Sequence, residues 1–294
     1  MDSLISLCTA IAQRHAEGAL SAQVALMEML IATEDEHVVE RVLAQLAHAA
    51  SADSFRELAQ VFAQNREGCS KIASILRAEQ TAGEARSVAE SLTFCRQLFD
   101  TLVQESEETS VALYSLGNPE ILAAATAEIV AVLRQHQLLG AAVRVLDVGC
   151  GIGRMAVALS PHVGQLHGID LSAQMVAVAT RRCAKLGNVR ISACSGADFA
   201  GFAAGSMDLV LAVDSFPYVV QAGAALVHAI FAEAARVLVP GGHFVLLNFS
   251  YGGDLAGDSA QVSELAKRHG FTPSVLAEQP FSLWNGALFS LRRA

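Results

Sequence analysis

Three carboxylates and three glycines carry the chemistry most readable in this 294-residue chain. Asp147 stands two residues before the run Gly149-Cys150-Gly151-Ile152-Gly153. Asp170 closes the short apolar stretch Leu166-His167-Gly168-Ile169, and Asp198 follows Ser195-Gly196-Ala197. A carboxylate next to a glycine turn repels a pyrophosphate and suits a cationic amino group. A carboxylate at the end of the next strand accepts hydrogen bonds from ribose hydroxyls. The glycines let the backbone turn sharply and let a ligand approach without a Cβ in the way. One acid alone is equally well read as a helix cap or turn residue. Three at successive strand ends are poorly explained that way.

The elements that would position these groups follow from hydrophobic patterning. Val143 to Val148 is β-branched and aliphatic, as in a buried parallel strand. Met155 to Leu159 continues as an apolar-periodic helix, whose N-terminus would present free N–H groups. Strand, glycine turn and helix form the first unit of a nucleotide-binding α/β fold. The dinucleotide fingerprint G-x-G-x-x-G is not met, because no glycine follows Gly153. Beyond it the pattern predicts strands near 143–148, 165–170, 189–194, 207–213, 242–249, 271–278 and 284–292. Helices are expected at 153–160, 173–186, 222–238 and 258–269. Asn118-Pro119 starts a further helix that Gly140 ends, and Pro240-Gly241-Gly242 turns into the fifth strand. Only Gln279 to Ser282 separates the last two strands, so they form an antiparallel hairpin.

Leu146-Asp147-Val148-Gly149-Cys150-Gly151-Ile152-Gly153, Gly168-Ile169-Asp170-Leu171-Ser172 and Ser195-Gly196-Ala197-Asp198-Phe199 resemble the first three motifs of the class I S-adenosylmethionine-dependent methyltransferases. Leu238-Val239-Pro240-Gly241-Gly242 matches the family's run before the fifth strand. The resemblance covers roughly Tyr114 to Ala294. It implies a doubly wound, seven-stranded, mostly parallel sheet with a final antiparallel strand, preceded by an all-α domain. It also implies S-adenosylmethionine as cofactor. Asp147 with Gly149, Cys150, Gly151 and Gly153 would hold the methionine part. Asp170 would hold the ribose, Asp198 would meet the adenine amino group, and Met175 would pack on the adenine. Leu171, Ala197, Val213 and Asp214 complete the cofactor-binding set so implied.

The first 110 residues read as helices throughout. Thr33-Glu34-Asp35-Glu36 looks like a capping box, helices start at Ser51 or Asp53 and near Ala82, Gly68 interrupts the pattern, and Glu105 to Ser110 is a polar linker. Two domains are therefore expected, 1–110 and 111–294, the first acting as a lid, dimer interface or docking site. Residues 1–110 hold eight Lys/Arg against 17 Asp/Glu, and the remainder holds 12 of each. A nucleic-acid enzyme would show a basic face, so nucleic acid is not expected as substrate. No run reaches the ~18 apolar residues of a membrane span. The N-terminus lacks a basic signal region, and six cysteines without C-x-x-C spacing read as thiols in a reducing compartment. A cytoplasmic enzyme without metal, acting on a small molecule and able to form a homodimer through its helical domain, is the resulting expectation.

Ligands of open α/β sheets bind at the carboxyl ends of the strands. The fourth strand ends at Asp214-Ser215-Phe216-Pro217-Tyr218 and the fifth at Asn248-Phe249-Ser250-Tyr251. The first of these does not match the Asn/Asp-Pro-Pro-aromatic run of the family's DNA and glutamine N-methyltransferases. Tyr114, Phe216, Tyr218, Asn248 and Tyr251 are expected to line a pocket for an apolar or aromatic acceptor, methylated on oxygen or nitrogen. Asp214 and Tyr218 are the candidate catalytic groups, and His228, mid-helix, is read as structural. Two alternatives stay open: a non-catalytic module that binds cofactor or a partner, and a nicotinamide-dependent oxidoreductase.

Overall fold

The structure, a computed structural model, describes residues 2–47, 53–79 and 87–294. The helix starts expected at Ser51 and Ala82 lie outside the described residues. By its contacts the chain divides into two units. One comprises Met1–Glu84, Leu102–Ala125 and Phe281–Asn285; the other comprises Ala85–Thr101, Thr126–Pro280 and Gly286–Ala294. Residues 87–101, on the helical side of the expected boundary, thus belong with the sheet.

The helical unit is built from α1 (Asp2–Ala16), α2 (Ala22–Thr33), α3 (Glu36–Ala47), α4 (Asp53–Gln64) and α5 (Arg66–Glu79). Their apolar stripes meet in one core that includes Ile11, Leu26, Met29, Leu30, Leu43, Leu58, Phe62, Ile72 and Leu116. Thr33 does not open α3 but ends α2, and Glu34 takes a left-handed φ of 52°. The cap of α3 is Asp35, whose Oδ1 accepts from His37 N at 2.9 Å. Gly68 lies inside α5 rather than interrupting it. A Cβ there would fall 1.8 Å from the Leu116 carbonyl oxygen, so only glycine permits this approach. The segment expected as a linker is folded in. Thr109 and Ser110 are buried, and Thr109 N donates to the Ser106 hydroxyl at 3.2 Å.

Two helices contribute to both units, α6 (Val88–Glu105) and α7 (Pro119–Gln135). Asn118 caps α7 by accepting from Glu120 N at 2.8 Å. The helix ends earlier than expected, because Gln137, not Gly140, takes the left-handed position and Leu138 N reaches back to Leu133 O.

The sheet unit carries β1 (Gly140–Val148), β2 (Val163–Asp170), β3 (Val189–Ala193), β4 (Met207–Val213), β5 (Leu238–Leu247), β6 (Phe271–Glu278) and β7 (Leu288–Arg293). Their spatial order is β3-β2-β1-β4-β5-β7-β6. All neighbours up to β5 are parallel, whereas β7 runs antiparallel to both β5 and β6. The expected hairpin is present, with the reversed strand inside the sheet and β6 at its edge. Leu238 to Gly242 is part of β5: the register slips there, and Gly241 has a φ of 82°, which makes it a bulge.

The helices of this unit are α8 (Arg154–Leu159), α9 (Ala173–Cys183), α10 (Phe216–Ala222), α11 (Ala224–Val237) and α12 (Leu255–Arg268). The sequence pattern did not announce α10, which has Pro217 in its first turn. Val210, Leu211 and Phe244 to Leu247 are fully buried, as strands covered on both faces require. Strand order reverses on either side of β1, so the loops after β1 and β4 border the crevice where such sheets bind ligands. Among the described residues no helix is long and apolar enough to cross a membrane.

Candidate active site

The turn after β1 is held by its own backbone. Gly149 N and Cys150 N donate to Ile169 O at 2.8 and 3.0 Å, Gly153 N to Cys150 O at 2.9 Å, and Gly151 N to Asp170 Oδ2 at 2.8 Å. These four amides are committed internally, and α8 is only six residues long. The amides of the turn itself are therefore not a phosphate cradle, which counts against a dinucleotide. The glycines are needed for shape. Gly149 has a φ of 70°, and a Cβ on it would lie 2.4 Å from the Ser215 Cβ.

Asp147 lies at the end of β1 and is 2% exposed. Its Oδ2 is buried and, among the described residues, accepts no hydrogen bond. Burial raises its pKa from 3.8 to about 7, with the Arg154 guanidinium pulling it down and Asp170 adding to the rise. A buried, unsatisfied carboxylate oxygen costs stability unless a donor meets it. A cationic amino group has the charge and donors to do so.

Asp170, at the end of β2, is also buried, and burial pushes its carboxyl up. Hydrogen bonds from the Ser172 and Gly151 backbone oppose that rise. Oδ1 accepts from Ser172 N at 2.9 Å and Oδ2 from Gly151 N at 2.8 Å. Each oxygen keeps a lone pair, so vicinal hydroxyls can still donate to it. The next residues lead into α9, where Ser172 caps by accepting from Met175 N at 3.1 Å and Met175 is buried. Leu171 is half-buried with its side chain at Gly196, beside half-buried Ala197. Asp198 is exposed and accepts from Ala200 N at 3.1 Å, which gives it a turn role whatever else it does. The Cys150 thiol, in the turn, is pushed well up by burial and stays protonated.

The loops after β4 and β5 meet at Asp214. Its Oδ1 accepts from Asn248 Nδ2 at 2.8 Å, and its Oδ2 pairs with Arg154 Nη2 at 3.3 Å. The Tyr251 hydroxyl donates to its carbonyl oxygen at 3.2 Å. Asp214 and Asn248 both hold left-handed φ values, 57° and 67°. Such backbone strain is sustained where the surroundings over-determine it. Asn248 is further tied to Ala287, whose N donates to its Oδ1 at 2.9 Å. Val213, next to Asp214, is buried in β4. The Tyr218 and Tyr251 rings lie edge to face with centroids 6.2 Å apart, and Phe99 from α6 meets Tyr218 at 5.0 Å.

Two of the expected pocket residues, Phe216 and Tyr114, are buried in packing. Phe216 is 1% exposed and packs in the core against Phe249, Phe231 and Phe244. Its ring serves packing, because α10 turns that position toward the sheet. Tyr114 belongs to the helical unit, buried and stacked on Trp284 at 4.9 Å. His228 in α11 pairs with His269, just past the end of α12, at 3.0 Å. Three neighbours of the site escaped the sequence reading: Arg154, Phe99 and Asp100. Arg154 did leave a signal, since a cation in the first turn of a helix opposes the helix dipole and invites another explanation. Phe99 and Asp100 left none, being ordinary positions of an amphipathic helix.

An orphan carboxylate oxygen beside a glycine turn, and a second buried acid able to take hydroxyl donors, fit a ligand that carries an amino acid and a ribose. Comparison with known proteins agrees. Residues 146–246 match the family described as "Methyltransferase domain". The chain is 29% identical over 158 residues to a demethylmenaquinone methyltransferase of Tropheryma whipplei (strain Twist), covering 53% of this chain and 59% of that one. It is 29% identical over 143 residues to the ribosomal RNA small subunit methyltransferase C of Alcanivorax borkumensis, covering 48% and 43%. The chain thus spans less than two thirds of the length of either relative. Among solved structures, geranyl diphosphate C-methyltransferase of Streptomyces coelicolor A3(2) aligns with a TM-score of 0.52 and 17% identity, over 72% of this chain and all of that one. At that identity the likeness is one of fold. The family match runs from Leu146 in β1 to Leu246 in β5 and so takes in every strand end that carries the acids and the glycine turn. The matched stretch, residues 146–246, is a methyltransferase domain, and the findings together support a class I S-adenosylmethionine-dependent methyltransferase.

Proposed function

We propose that this chain transfers a methyl group from S-adenosylmethionine to an oxygen or nitrogen of a small, largely apolar or aromatic acceptor. The observation that carries the reading is the buried, unpartnered Oδ2 of Asp147 at the end of β1. An α-ammonium group is the donor it calls for, and Arg154 beside it offers the cation for the matching carboxylate. Asp170 with Leu171 takes the ribose, and Met175, Ala197 and Asp198 flank the adenine. When bound, the cofactor supplies a methyl group already activated on a sulfonium sulfur.

The protein's share is alignment and the exclusion of water. Phe99, Tyr218 and Tyr251 offer apolar ring faces for the acceptor, and Tyr218 orients its heteroatom. Asp214 accepts from Asn248 and pairs with Arg154, so it acts by fixing Tyr251 rather than by taking a proton. The acceptor named for the Tropheryma whipplei relative is a small molecule, whereas that named for the Alcanivorax borkumensis relative is ribosomal RNA. The equal count of acids and bases in residues 111–294 favours the small molecule. The acidic helical unit serves docking or self-association.

Calorimetry with S-adenosylhomocysteine and with NAD tests the cofactor reading, which expects only the first to bind. Labelled methyl transfer to a panel of phenols, hydroxyquinones and amines tests the acceptor reading. No binding of S-adenosylhomocysteine would sink the proposal. Tight binding with no transfer across the panel would favour a module without turnover.

A further inference from the structure

We propose that Asp100 is a positioning residue: it latches α6 onto the first turn of α9 and thereby sets Phe99 against Tyr218. The consequence for the acceptor rests on the function proposed above; the latch itself does not.

The Ser172 hydroxyl donates to Asp100 Oδ1 at 2.5 Å, and Gln174 N donates to the same oxygen at 3.1 Å. Ser172 in turn accepts from Met175 N at 3.1 Å. The first turn of α9 is therefore capped twice, once by its own serine and once by a carboxylate from a different helix. Ser172 is 0% exposed. Without Asp100 its hydroxyl proton and the Gln174 amide would lose their acceptor, and the former would be left buried and unpaired. The same serine donates its backbone N–H to Asp170 Oδ1 at 2.9 Å. One residue thus joins Asp100 to the acid that takes the ribose.

The rest of the described sheet-unit part of α6 runs along that wall. Leu92 Cδ2 and Leu171 Cδ1 lie 3.0 and 3.2 Å from where a Cβ on Gly196 would stand. Phe99, adjacent to Asp100 in the chain, carries its ring to Tyr218 at 5.0 Å. The carboxylate that ties the helix down and the ring that faces the tyrosine are consecutive, so the tie fixes the ring. Filling the ribose site orders Asp170 and Ser172, hence Asp100, hence Phe99.

Hydrogen exchange followed by mass spectrometry on the full chain tests this without knowing the acceptor. In the cofactor-free protein, Asp100→Ala should speed exchange in residues 88–101 by about tenfold or more, the loss of hydrogen bonds to a charged group. Asp100→Asn keeps an oxygen acceptor for both donors and should retain most of the protection. Adding S-adenosylhomocysteine should slow exchange in 88–101 of the parent and of Asp100→Asn, but not of Asp100→Ala. A general loss of stability would not produce that difference. Unchanged exchange in Asp100→Ala, or equal loss in Asp100→Asn, would overturn the latch. Failure of the parent to bind S-adenosylhomocysteine in calorimetry would instead overturn the cofactor reading, with the cofactor-free comparison still deciding the latch.

Discussion

Replacing Asp147 by Asn should make the protein more stable and worse at its task. The carboxyl of Asp147 has a pKa raised from 3.8 to about 7 by burial. The unfolded chain ionises first, so stability is undiminished below about pH 4, falls as pH rises to about 7, and is level above that. Three pH units at about 1.4 kcal/mol each give a penalty of about 4 kcal/mol at pH 8. Asn carries no such penalty, in which the pull of Arg154 is already included, but buries an amide donor group, so the net gain is about 1–3 kcal/mol. At roughly 2–4 °C per kcal/mol, the Tm of cofactor-free Asp147→Asn at pH 8 should rise by several degrees. At pH 5.5 the parent's carboxyl is mostly protonated, and the gain should shrink by about 2 kcal/mol. Affinity for S-adenosylhomocysteine at pH 8 should fall by about ten- to a hundredfold, the loss of a charge-assisted hydrogen bond. Thermal melts at both pH values and calorimetry at pH 8 read these changes. A variant that is destabilised equally at both pH values and binds S-adenosylhomocysteine like the parent would refute the assignment and make Asp147 structural.

Four further outcomes follow from the same geometry. The parent's affinity for S-adenosylhomocysteine should improve with pH over about one to two units below pH 7, by about ten- to a hundredfold in all, and then level, whereas that of Asp147→Asn should stay flat; calorimetry in a buffer series reads the change. Asp170→Ala should weaken cofactor binding by about ten- to a hundredfold, and an unchanged Kd would remove Asp170 from the site. Gly149→Ala should cost about 1–3 kcal/mol in a denaturant melt, since its Cβ would meet Ser215 at 2.4 Å from a left-handed backbone. Tyr218→Phe should lower kcat for whichever acceptor is found and leave the Kd for S-adenosylhomocysteine within about twofold, which separates orientation of the acceptor from cofactor binding.

The sheet was legible because its strands are continuous apolar runs ended by acids or glycines. Asp147, Gly149 and Asp170 fall where the spacing put them, at the ends of β1 and β2. What could not be read was the use of each polar group. The glycines were readable as a sharp turn, but not that the turn's amides bind Ile169 and Asp170. Asp214 was readable as a candidate catalytic group, but not its junction with Asn248, Arg154 and Tyr251. Phe216 looked like a pocket wall, yet α10, a seven-residue helix too short to show in the periodicity, points it into the core. Hydrogen-bond partners distant in sequence leave no local pattern, and Asp100 with Ser172, 72 residues apart, is the clearest case.

The claim on which the rest depends is that Asp147 waits for an ammonium group. A crystal structure of the protein with S-adenosylhomocysteine tests it directly. The account predicts the α-amino nitrogen within ~3 Å of Asp147 Oδ2 and the ribose hydroxyls on Asp170. An Asp147 Oδ2 satisfied by water or by a protein group, with the cofactor's amino nitrogen elsewhere, would contradict it.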